Sequence, residues 1–112
     1  MAINTRLPVE EWKDFFATFS NGNRGRSVSL EVFDSESGST GQRQQGKLIA
    51  VDYDPVGEGN DIVVTTGESE VDYSHTIAAP VEVWRVQLDS GEIGSLEIVD
   101  QNGTKTIMSL KC

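Results

Sequence analysis

The chain has 112 residues, 37% hydrophobic and 24% charged, which suits one domain over residues 1–112 with its own core and is too apolar for disorder. Eighteen acids against nine Lys and Arg give a formal net charge of −9, a field that repels phosphate backbones and anionic lipid, so neither nucleic acid nor membrane is expected as a partner. Cys112 is the one cysteine; with no disulfide pair, no signal-peptide core near the start and no apolar run of membrane length, a cytoplasmic location is expected.

Met1 to Arg6 reads as a short polar arm. Residues 8–20 predict the one helix. Pro8 suits the first helical position, where its missing N–H is not needed, and Glu10, Glu11 and Asp14 complement the helix dipole. Trp12, Phe15, Phe16 and Phe19 follow the i, i+3, i+4, i+7 spacing and form one stripe that packs on a sheet. Asn21-Gly22 is the expected stop, since both residues tolerate the left-handed conformation.

After the helix the hydrophobic period changes to two. Residues 27–33 alternate, with Val28, Leu30 and Val32 on one face. Residues 34–45 are polar and rich in Gly and Ser, and predict a mobile hairpin loop whose arms extend the strands. Strands are expected at 46–53 and 61–66, where Leu48-Ile49-Ala50-Val51 and Ile62-Val63-Val64 are apolar at successive positions, as for strands covered on both faces. These two would form the central hairpin. Further strands are expected at 73–78, with Tyr73, His75 and Ile77 on one face, at 81–88, with Trp84 in the core, and at 95–99 and 105–110. Asn102-Gly103 between the last two is the strongest hairpin signal in the chain. The predicted class is mainly β (α+β): an N-terminal helix packed on a strongly bent antiparallel sheet, or on a small Sm/SH3-like barrel, of five to seven strands. An unclosed meander leaves edge strands that pair with a second copy, so the oligomeric state is open.

Glu11-Trp12, Phe15-Phe16, Phe19-Ser20, the Ser74-His75-Thr76-Ile77 strand and the closing Asn102-Gly103-Thr104 hairpin resemble a family of short bacterial proteins catalogued only as a domain of unknown function. The similarity spans nearly the whole chain and implies no activity, cofactor or site residue. Gly46-x-Leu48-x-x-x-Asp52 with Asn60-x-Ile62-x-Val64 resembles the first motif of Sm-like small barrels. That likeness implies a glycine that permits strand bending, and an Asp and an Asn at the strand ends where RNA is bound. The connection between Asp52 and Asn60 is longer and more acidic than in that motif, and the basic second Sm motif is not recognisable.

Asp52, Asp54, Glu58 and Asp61 are the candidates for a hard-cation site built from oxygen ligands. Read as an EF-hand loop from Asp52 they fail, because Val56 and Val63 stand where oxygen ligands are needed, and the alternative is an acidic turn that caps two strands. His75 is the only histidine, so a His-based zinc site has no second ligand of its kind. No Gly-x-Ser-x-Gly elbow, P-loop or dinucleotide fingerprint is present. No cofactor is assigned and no enzymatic activity is expected. Between Lys47 and Arg85 there is no basic residue, while Asp52, Asp54, Glu58, Asp61, Glu68, Glu70, Asp72 and Glu82 all fall there. The leading expectation is a protein–protein interaction module in which Glu68, Glu70, Asp72 and Glu82 meet a basic surface. The alternatives are a small-molecule or divalent-cation binder and, against the charge, an Sm-like RNA binder.

Overall fold

The computed structural model describes residues 3–33, 42–55, 57, 59–68 and 71–110. Ile3–Arg6, expected as a polar arm, is a strand, β1, paired antiparallel with a later strand from Ile3↔Gln87 to Arg6↔Trp84. Pro8 is extended (φ −61°, ψ 145°) and stands before the helix rather than at its first position. A 3-10 turn, Val9–Glu11, then feeds α1, Trp12–Asn23. Asn21-Gly22 does not stop α1; the chain turns at Gly25, whose φ of +90° only glycine adopts readily. Asn23 closes the helix end by donating from Nδ2 to the Phe19 carbonyl at 3.0 Å and accepting from Arg26 at 2.8 Å.

The remaining strands are β2 (Ser27–Phe33), β3 (Gln42–Asp54), β4 (Asp61–Glu68), β5 (Val71–Ala78), β6 (Pro80–Gln87), β7 (Ile93–Asp100) and β8 (Lys105–Leu110). The predicted loop tip at residues 34–41 lies outside the described residues. All pairings are antiparallel and make one eight-stranded sheet, ordered β1-β6-β7-β8-β2-β3-β4-β5. Eight strands exceed the expected five to seven because β1 exists only through its distant partner β6. Two meanders, β2 to β5 and β6 to β8, are joined where β8 pairs with β2, so the β3–β4 hairpin is not central but lies next to one edge. Among the described residues the ladder does not close, and β1 and β5 form its edges. Its three extents of 31, 29 and 29 Å are nearly equal, so the sheet is rolled about its core, as strand twist favours.

That core is the inner face of the roll sealed by α1. Trp12, Phe16 and Phe19 from the helix meet Val28, Leu30, Leu48, Val51, Ile62, Val64, Ile77, Val83, Leu96, Ile98, Met108 and Leu110. Leu7, beyond β1, joins them and accepts the Trp12 indole N–H at 2.9 Å. Trp12 meets Tyr53 edge to face at 5.4 Å, the arrangement the ring quadrupoles prefer. Strands expected to be covered on both faces are buried on one: Ile49, Ala50 and Val63 are partly exposed. Trp84 is likewise outside the core. The inward residue on β6 is Val83, and the Trp84 side chain is partly exposed.

β3 decides how the roll forms. Its first half pairs with β2 as far as Ser27↔Lys47, and its second half pairs with β4 from Lys47↔Gly67 to Asp54↔Asp61, with a bulge between Leu48 and Ala50. Where β2 ends, the end of α1 takes its place. Gly25 N–H donates to the Leu48 carbonyl and Leu48 N–H to the Arg26 carbonyl, both at 2.8 Å. Arg24 Nε reaches the Ile49 carbonyl at 3.2 Å. The buried Ser20 hydroxyl accepts from Val51 N–H at 2.8 Å and donates to the Val51 carbonyl at 3.0 Å. Gly46 permits the close crossing at the bend, since a Cβ there would stand 3.0 Å from the Gly67 carbonyl oxygen.

Ser20→Ala removes both partners of a buried backbone unit. It is expected to destabilise the protein by about 1–3 kcal/mol, read as a lower urea midpoint at unchanged slope. A loss within about 0.5 kcal/mol, the range of ordinary surface changes, contradicts this role.

Candidate interaction surface

β5 pairs with β4 through an unbroken register from Glu68↔Val71 to Asp61↔Ala78. Its chain then passes through Ala79, at φ +51°, directly into β6. That corner is pinned by Ala79 N–H to the Asn60 carbonyl and Gln101 N–H to the Ala79 carbonyl, both 2.9 Å. β6 thereby departs to the opposite side of the sheet order. The second edge of β5 carries no paired strand among the described residues. Alternate residues of an antiparallel strand direct N–H and C=O to opposite sides, so about half of the β5 backbone groups face outward.

The side chains of this edge divide by alternation. Ile77 is buried and His75 half-buried on the inner face, with His75 opposite the buried Val64. Tyr73, on the same side at the rim, is 46% exposed. Ser74, Thr76 and Ala78 are exposed on the outer face, where register continues them into Thr65, Val63 and Asp61 of β4. Asp54 lies opposite Asp61 across the β3–β4 pair, and Asp52, opposite Val63, is exposed on that face. The outer face of β3, β4 and β5 thus carries small side chains and is acidic at its Asp54–Asp61 end, while Lys47 stands at the opposite end of the same face, across from Gly67.

Of the predicted cation ligands, Asp54 and Asp61 come together. Asp52 points from two residues further along β3, and Glu58 lies outside the described residues. Asp61 Oδ1 is buried without a hydrogen-bond partner, yet no group of three or more His, Cys, Asp or Glu forms a cation cage among the described residues. Asn60 follows an acidic turn at φ +50°, where its N–H bonds the Pro55 carbonyl at 3.1 Å, and its carbonyl serves the Ala79 corner. Of the predicted partner-binding acids, Glu70 and the side chains of Glu68 and Asp72 lie outside the described residues. Glu82 is partly buried and already engaged: it accepts the Trp84 indole N–H at 3.1 Å and lies 4.0 Å from the Arg6 guanidinium.

Sequence reading passed over Arg85. Its Nε is buried without a partner beside an open cleft of about 440 Å³ between β1, β6 and the start of α1. Arg6 and Arg85 line that cleft together with Glu10, Glu11 and Asp14. Both signs meet there, so it selects no ligand by charge. No helix of the described residues is long and apolar enough to cross a membrane.

A family model described as a family of unknown function, DUF5335, matches residues 3–112. The chain belongs to this family. It is also similar to an uncharacterized protein of Aquifex aeolicus (strain VF5), 30% identical over 105 residues that cover 94% of this chain and 89% of the relative. No solved structure matches the chain. The resemblance in the helix, the Ser74–Ile77 strand and the closing hairpin was therefore to the right family. Membership in DUF5335 attaches no catalytic role to any of the surfaces above.

Burial pushes the His75 imidazole below its ordinary pKa of 6.5. Above that value the ring is neutral in both folded and unfolded chains and stability is unaffected by it. As pH falls below 6.5 the unfolded chain takes up the proton first, so stability is lost until pH passes the lower folded value. Urea unfolding followed across this window is expected to show a falling midpoint, and His75→Gln to flatten the fall. An equal slope in both proteins contradicts the assignment.

Proposed function

We propose that this member of DUF5335 is a cytoplasmic, non-enzymatic protein-binding module whose acidic side meets a basic surface. One observation supports the reading above the others. The stretch between Lys47 and Arg85 carries eight acids (Asp52, Asp54, Glu58, Asp61, Glu68, Glu70, Asp72 and Glu82) and no Lys or Arg. It supplies the second half of β3, β4, β5 and the start of β6, and the first three are neighbours at one end of the sheet order. A single-signed field over adjacent strands steers a partner of opposite sign and rejects partners of the same sign. Glu82 stands apart on β6, where it serves Trp84 and Arg6, so the exposed Asp52 and Asp54 are the more accessible contacts.

The same field opposes the phosphate backbone that the Sm-like reading requires. Asp54 and Asp61 alone do not supply the six to eight oxygens that a calcium ion takes, so the cation-binding alternative has no comparable support.

The immobilised protein is expected to retain basic proteins at about 0.1 M salt and release them near 1 M, as screening shortens the reach of surface charge. The triple variant D52N/D54N/D61N is expected to retain less. Retention that ignores both salt and these substitutions, or no retention at low salt, overturns the reading.

A further inference from the structure

We infer that the partner binds by strand addition: an extended basic segment pairs with the free edge of β5 as a ninth strand. The inference rests on the protein-binding reading and specifies its geometry. Edge strands in stable proteins are normally blunted by brevity, Pro, Lys, bulges or a cover. β1, at the other edge, follows this rule: it has four residues and ends on Arg6. β5 breaks it. It has eight residues, no Pro and no Lys, and its ladder with β4 contains no bulge. Its outward side chains, Ser74, Thr76 and Ala78, are small and exposed, and leave the backbone accessible to a second chain.

What distinguishes this edge from an aggregation hazard is charge. Two copies of the chain meeting at β5 would bring together two proteins of net charge −9, each with its basic residues elsewhere in the sequence. A basic strand meets no such repulsion. On the outer face Asp61 stands on β4, one strand beyond β5, and Asp52 and Asp54 on β3, one further, so they draw lysines on that face of the incoming strand through their field rather than by contact, while its other face meets the Tyr73 rim. Main-chain hydrogen bonds supply the ladder, and alternation supplies the specificity.

The test uses the whole protein and two labelled peptides about as long as β5, each with Lys at alternate positions and Thr or Val between. The second peptide is N-methylated at every other residue, so it keeps the charge and loses one edge of donors. Fluorescence anisotropy at low salt is expected to show the unmodified peptide binding at least about tenfold more tightly than the methylated one, since the methylated peptide leaves β5 carbonyls unpaired. Its amide spectrum is expected to change at alternate residues of Val71–Ala78. Equal affinity for both peptides overturns strand addition and leaves the acidic surface as a plain electrostatic contact. Binding of neither peptide at low salt, with no basic protein retained either, overturns the parent reading as well. Sedimentation showing a dimer that strengthens with salt identifies a second copy as the occupant and overturns the inference.

Discussion

Val51 has its N–H and its carbonyl tied to one serine hydroxyl on the helix. This contact stands for a larger constraint: β3 is too long for either neighbour. β2 covers its beginning, β4 covers its end, and the end of α1 with the turn that follows it occupies the space that β2 vacates. A buried strand edge left without partners costs more than any single packing contact here returns. The helix therefore cannot sit elsewhere on the sheet without exposing or orphaning the backbone at Leu48, Ile49 and Val51. Its aromatic stripe then falls over the open inner face of the roll, and the core closes as a consequence.

The same geometry sets the edges. The bulge at Ile49 and the close approach at Gly46 bend β3, and β4 and β5 follow it around the roll. At Ala79 the chain bends sharply and carries straight on into β6, on the far side of the sheet order. β6 has both of its edges taken, by β1 and by β7, and offers none to β5. β5 is left open by connectivity, and the acids beside it are the feature of this edge that works against self-association.

The alternating segments were the most legible in the sequence. β2 and β8 were readable to their last residues, because strict alternation and the Asn102-Gly103 turn fix both period and register. The helix was readable as an element but not in its ends. Gly22 costs helix stability on its own, yet Ser20 and Asn23 are held by hydrogen bonds that depend on the tertiary structure, and these carry the helix past it. β1 was not readable, since four residues have no period and the strand exists through β6. Trp84 was placed on the wrong face because both faces of β6 are mixed, and register shifts at Pro80/Glu82 and Val86/Gln87 interrupt its pairing with β7. At the candidate site the acids were legible from composition alone. The open edge beside them was not, because edge position is set by the order of strands and not by the residues within one.

Amide hydrogen exchange on the free protein tests the central claim, that β5 is an open edge of a rolled sheet. Along Val71–Ala78 the amides directed at β4 should be protected to the level of the core strands, and the intervening amides should exchange as solvent-facing groups do, giving a period of two. Uniform protection along β5 in a monomer would mean that the roll is closed by another strand or covered by another segment, and would contradict both the open edge and the binding mode built on it.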